Sequence, residues 1–204
     1  STMASTPGRK TSVKLIHKPE AVRAAANLRG DPSASGLDWP TFRGWLDGLP
    51  EGGLNIAHEA VDRHVLHGRG AMEALRWIGR DGSRRSFTYA DLKAETDRFA
   101  ALLRELGHGK GVRVFSLLGR VPELYLSALG TLKAGGVFSP LYSAFGPEPV
   151  RARMTIGQAA ALITSTADYR KKVLPWRNEL PSLVSVLLID GEAEPIEAES
   201  TERL

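Results

Sequence analysis

The chain has 204 residues, 42% of them hydrophobic, which is room for one sizeable core with tails. It has no cysteine, which excludes disulfides and thiolate metal sites, and no apolar run of about 18 residues that would span a bilayer. The formal charge of +4 is scattered over Arg80, Arg84, Arg85, Arg151, Arg153, Arg170, Lys171 and Lys172, so it argues against nucleic acid as the partner.

Residues 1–36 are rich in Ser, Ala, Pro, Gly and Arg, and Gly30-Asp31-Pro32-Ser33 reads as a linker. A flexible arm is expected there, followed by one α/β domain over 37–204. Residues 1–10 lack the apolar core of a secretory signal, and a cytoplasmic setting is expected. Asp38 is placed to cap a short helix with Pro40 in its first turn and Phe42, Trp45 and Leu46 on one face, stopped by Gly48 and Pro50. Asn55 is placed to cap a second helix with Ile56, Ala60, Val61 and Val65 as its apolar stripe.

Segments 74–78 and 84–88 flank Asp81-Gly82, a pair suited to a hairpin turn. Thr88 and Asp91 have the spacing of a capping box, and behind them Leu92, Thr96, Phe99, Leu103 and Leu106 recur at helical spacing up to Gly107. Four short apolar runs follow, at 112–118, 136–141, 160–164 and 184–189. Helical segments opened by Pro122, opened around 147–149, and spanning 167–174 separate them. Buried strands joined by helices are parallel. The predicted fold class is therefore α/β: a doubly wound, mostly parallel sheet with flanking helices and a small β-hairpin. The Glu- and Ala-rich end reads as loop or frayed helix.

In such a sheet the ligand chemistry lies in the loops after the strand carboxyl ends. Gly107-His108-Gly109-Lys110-Gly111 is no phosphate loop, because Arg104 stands at the first glycine position and Gly111 at the hydroxyl position. His58-Glu59 lacks the second histidine of a zinc helix, since Asp62 stands there, and His58, His64 and His67 are expected at a surface or interface. No nucleophile elbow or dinucleotide fingerprint is present. Two regions remain. Residues 139–148 follow the second strand and enter a helix whose amino terminus favours anions, and Arg170, Lys171 and Lys172 follow the third strand.

Three strings carry a resemblance. They are Leu54-Asn55-Ile56-Ala57-His58-Glu59-Ala60-Val61-Asp62-Arg63-His64, then Ser86-Phe87-Thr88-Tyr89-Ala90-Asp91-Leu92, and the stretch 119–154. At the centre of the last stand Lys133-Ala134-Gly135-Gly136-Val137-Phe138-Ser139-Pro140 and Phe145-Gly146-Pro147-Glu148. Over about 37–190 the chain resembles the AMP-forming acyl-CoA synthetases of the adenylate-forming superfamily, and within them the acetate-using branch.

The resemblance implies a two-step reaction using ATP, CoA and Mg²⁺: an acyl-adenylate forms with release of pyrophosphate, and the CoA thiol then displaces AMP. The family's phosphate loop, its Tyr-x-x-Thr-Glu motif, ribose-binding aspartate, catalytic lysine and acyl-pocket tryptophan are expected beyond Leu204. No catalytic or metal-binding residue is thus assigned here, and the chain is expected to be inactive alone. The resemblance aligns Arg170 with the first arginine of an Arg-x-x-Arg pair that contacts the CoA nucleotide, and Val173 with the second. Lys171 or Lys172 would replace the lost charge, and Ala144 falls near a backbone contact with CoA. Expected partners are CoA and the remaining domains of a synthetase, with self-association of exposed apolar surface. The alternative is a stand-alone homologue acting as an interaction or regulatory module.

Overall fold

The computed structural model describes residues 17–24 and 38–190. The linker expected at 30–33, most of the expected arm and the Glu-rich end lie outside the described residues. The chain divides after Trp45 into two compact units. The first holds α1 (Glu20–Ala24) and α2 (Trp39–Gly44). Asp38 caps α2 as expected, its carboxylate accepting the Thr41 N–H at 2.9 Å. The helix stops at Gly44, so Trp45 is its cap and Leu46 lies beyond the predicted face.

In the second unit Asn55 is a cap with two roles. Its Oδ1 accepts the N–H groups of Ala57 and His58, and its Nδ2 donates to the Leu132 carbonyl at 2.8 Å. The backbone then widens into π-type turns at His58–Asp62 and Val65–Arg69. Wider turns rotate the inward face relative to an α-helical stripe. Ala57, His58 and Val61 are therefore buried, whereas Ile56 is 65% exposed. Of the expected stripe, Val61 is buried and Val65 half-buried, but Ile56 and Ala60 are exposed, and His58, expected at a surface or interface, is buried within the chain. Gly48 is also buried, its N–H donating to Glu59 at 2.7 Å.

β1 (Glu73–Ile78) and β2 (Arg84–Thr88) form the hairpin, closed by Gly82 at φ +82. Thr88 and Asp91 make the predicted capping box of α3 (Tyr89–Glu105), and Gly107 ends that helix at φ +82. The buried face of α3 is Leu92, Thr96, Ala100 and Leu103; Leu106 is already the cap and is exposed.

The main sheet has β3 (Arg113–Leu117), β4 (Val137–Leu141), β5 (Ala161–Thr164) and β6 (Ser185–Leu188), all parallel in the order β4-β3-β5-β6. The connections are α4 (Pro122–Lys133), α5 (Pro147–Ile156), and α6 (Thr166–Lys172) with a 3₁₀ turn at Leu174–Glu179. Alternation along β3 explains the layering. Val114 packs with Leu103 of α3 and with Ile163 and Leu118, while Phe115 and Leu117 pack with Met154 of α5, with Tyr169 of α6 and with Val173, the residue that caps it. Both faces are covered, so the sheet is doubly wound, and strand order reverses between β3 and β5.

Helices α3 and α4 meet closely at Gly130, where a Cβ would lie 2.8 Å from the Cβ of Phe99. Lys133 ends α4 by bridging Asp62 at 2.7 Å and Asp97 at 2.8 Å, and Lys93 also reaches Asp97. Burial pushes the Asp97 carboxyl up, but the bonds from Lys133 and Lys93 outweigh it and hold it below its ordinary value. A folded value below the unfolded one gives stability that is present above the ordinary carboxylate value of about 4 and lost as pH falls through the lowered one. Lys133→Met should therefore flatten the loss of stability below about pH 4. Denaturant midpoints measured down the acid range check this, and an unchanged slope would show that the cluster is uncoupled from folding.

Candidate functional site

The carboxyl edge of the sheet is formed by the loops after its strands. After β3, residues 119–121 are held from outside: Trp77 Nε1 donates to the Arg120 carbonyl at 2.6 Å, and Arg85 pairs with Glu123 at 2.8 Å. The hairpin is thereby pinned over the start of α4. After β5, Ser165 caps α6 by accepting the Asp168 N–H. The Thr166 N–H and hydroxyl both donate to Asp190 beyond β6.

After β4 the chain turns through Tyr142–Phe145, with the Phe145 N–H donating to the Tyr142 carbonyl at 2.9 Å. Phe145 packs partly into the core under the Arg153 guanidinium, whose carbon lies 4.4 Å from the ring centre. The amino terminus of α5 offers less to an anion than the sequence suggests. Pro147 and Pro149 have no N–H, and Glu148 places a carboxylate there, 75% exposed and paired with Arg151.

The three adjacent cations at the end of α6 separate. At about 100° per residue, consecutive helical positions do not share a face. Tyr169 and Val173 are fully buried and define the inward side. Arg170 and Lys172 flank it on opposite sides, and Lys171 points about 180° away from it. Arg170 and Lys171 are exposed and make no ion pair among the described residues. Lys172 is 12% exposed and occupied: its ammonium donates to the Ser143 carbonyl at 2.7 Å and pairs with Asp168 at 2.8 Å. The structure thus brings Lys172 against the loop that carries Ala144, which is itself exposed.

Two of the histidines are taken up within the fold. His64 Nδ1 accepts from Arg69, and its ring lies 4.5 Å from that of Tyr89. Burial, then the charges of Arg69 and Arg63, hold the imidazole below its ordinary pKa, which suits a neutral acceptor. His108 is buried 2.9 Å from the Ser185 hydroxyl, at the amino end of the sheet and away from the loops above. Among the described residues no three His, Asp or Glu side chains converge as a cation site. Nor is any helix among them long and apolar enough to cross a membrane.

Sequence reasoning missed the Lys172–Ser143 link, the Arg153–Phe145 stack and the Trp77–Arg120 pin. The first and third join residues 29 and 43 positions apart, which no local pattern announces. The stack had a weak local signal, an arginine two helical turns behind an aromatic at the helix entrance.

Comparison with known proteins agrees with this architecture. The AMP-binding enzyme family matches residues 61–204. The chain is 36% identical to an acetyl-coenzyme A synthetase of Streptomyces avermitilis over 137 residues, covering 66% of this chain and 21% of that protein. It is 34% identical to the acetyl-coenzyme A synthetase of Bacillus subtilis over 160 residues, covering 78% of this chain and 27% of that one. A crystal structure of Brucella canis acyl-CoA synthetase superposes with a TM-score of 0.66 at 30% identity, covering 78% of this chain and 28% of the other. The chain spans about a fifth to a quarter of the length of these relatives. With that match over most of its length, on a doubly wound parallel sheet, the chain belongs to the AMP-binding enzyme family.

Proposed function

We propose that these residues form the amino-terminal α/β layer of an AMP-forming acetyl-CoA synthetase and contribute part of its CoA nucleotide surface. In the whole reaction the acetate carboxylate attacks the α-phosphorus of ATP, the bond to pyrophosphate breaks, and the CoA thiol then displaces AMP to give acetyl-CoA. On this reading the phosphate-handling groups for the first step lie outside the described residues. The part of this chain is to hold the sheet and to meet the nucleotide end of CoA. Mg²⁺ would offset phosphate charge in the first step, at ligands outside this chain's described residues.

The observation that carries this reading is Arg170. It is exposed, free of ion pairs among the described residues, and on the same short helix as the lysine that grips the Ala144 loop. A guanidinium meets a phosphate through two parallel N–H bonds, which suits it to the phosphates of CoA. Lys171 adds positive potential from the outer face of α6, and the backbone at Ala144 has no large side chain to keep a ligand away.

The adenylation half of the reading is tested by acetate-dependent ATP–pyrophosphate exchange. The purified 204-residue chain should show none, and measurable exchange would mean that an adenylation site is built from these residues. Within a complete synthetase carrying this sequence, Arg170→Ala should raise the CoA concentration needed for half-maximal rate about tenfold. Exchange should be untouched, whereas an exchange defect with unaltered CoA dependence would take Arg170 out of the nucleotide site.

A further inference from the structure

The sequence presents Arg170, Lys171 and Lys172 as interchangeable cations for one ligand, and the geometry separates them. Lys172 sits on the flank of α6 that faces the β4–α5 loop, with 12% of its side chain exposed. Its ammonium has three protons, and two partners of different kinds lie within 2.8 Å: the Asp168 carboxylate one turn earlier and the Ser143 carbonyl across the gap. A phosphate arriving at this nitrogen would have to displace a carboxylate and a carbonyl already in place.

The loop has few other ties. Its internal bond is the Phe145 N–H to the Tyr142 carbonyl, and its side-chain anchor is Phe145 in the core edge. Pro147 and Pro149 deprive the following helix start of two amides that could have secured it. Tyr142 is 66% exposed and sets its ring edge-on against that of Phe145, 5.6 Å between centres, a contact within the loop itself, while Ala144 is exposed and ties nothing down. The Lys172–Ser143 bond is charge-assisted and buried from water on most sides, which makes it the strongest polar restraint on residues 142–146 among the described residues.

We propose that Lys172 is a positioning residue: a strut from α6 that fixes the β4–α5 loop, so that the backbone at Ala144 is presented in one conformation, while Arg170 alone meets the ligand's phosphate. Asp168 completes the device by holding the ammonium over the loop, one helical turn from its own backbone. The CoA half of this inference rests on the nucleotide reading above; the strut itself does not.

The test separates the two. Amide hydrogen exchange of the 204-residue chain, followed by mass spectrometry on peptides covering 142–146, should quicken about tenfold in Lys172→Met. Lys172→Arg, which keeps a cation within reach of both oxygens, should restore most of the protection. Peptides from α3 and β3 should exchange as in the parent chain, which excludes general unfolding. Unchanged exchange at 142–146 overturns the strut.

With CoA as probe, Lys172→Met should weaken binding but leave the dependence on salt as it was. Arg170→Ala should reduce that dependence, because it removes a charge that acts on the ligand directly. A salt dependence that falls equally in both variants would make Lys172 a ligand and overturn the proposal. Should the parent chain bind no CoA at millimolar concentration, the nucleotide reading fails, and the exchange rates alone decide the strut.

Discussion

Val173→Arg is expected to cost the fold about 3–5 kcal/mol, the range for an uncompensated charge left in an interior, and to add no CoA affinity. Resemblance alone suggests the opposite, since it sets position 173 on the second arginine of a nucleotide-binding pair. The geometry explains the valine. Its side chain has no exposed surface and packs with Tyr169, Trp176 and Leu117 beneath the sheet. The side chains it packs with there are apolar, so a guanidinium at this position would lose its water among groups that cannot hydrogen-bond it. Because α6 has seven residues, is anchored by the buried Tyr169 and has Val173 as its cap, it has little freedom to roll the new side chain outward. Urea midpoints of the two chains measure the effect. A loss under 1 kcal/mol together with tighter CoA binding would mean that α6 presents position 173 to the ligand after all.

Substitution at Gly130 should also be costly, by about 1–3 kcal/mol for alanine and more for valine, because the obstruction is not a movable side-chain tip. The added carbon would meet the Phe99 Cβ at 2.8 Å and the ring beyond it, so α3 and α4 would have to separate. That separation reaches Lys133 at the end of α4, whose bonds to Asp62 and Asp97 hold three segments together. A double-mutant cycle gives the diagnosis. Gly130→Ala combined with Phe99→Gly, which removes the Cβ as well as the ring, should lose clearly less stability than the sum of the single changes, whereas strict additivity would show that the helices do not touch there.

Much of the fold is legible in the sequence where local chemistry and periodicity agree. The capping box at Thr88 and Asp91, the glycine stop at 107, and the proline starts at 122 and 147 each mark an element boundary to within a residue or so. The four strands begin and end within one residue of the apolar runs. The segment after Asn55 was less legible. Its turns are π-type, and a stripe drawn at α-helical spacing selects Ile56 and Ala60 in place of Ala57 and His58. The site was only partly legible for a different reason. Composition shows that three cations stand together, but whether each is free, gripped or pointing away depends on the direction of Tyr169 and Val173 and on Ser143, far away in sequence.

The account turns on whether the end of α6 and the β4–α5 loop meet CoA together. Two-dimensional ¹H–¹⁵N NMR of the 204-residue chain titrated with CoA to millimolar concentration tests this directly, because it detects the weak binding expected of a partial site and shows where it occurs. The account predicts shifts that saturate, confined to residues around 142–146 and 168–172, and lost in Arg170→Ala. Shifts centred elsewhere in the chain, or the same shifts at the same CoA concentration in Arg170→Ala, would contradict it.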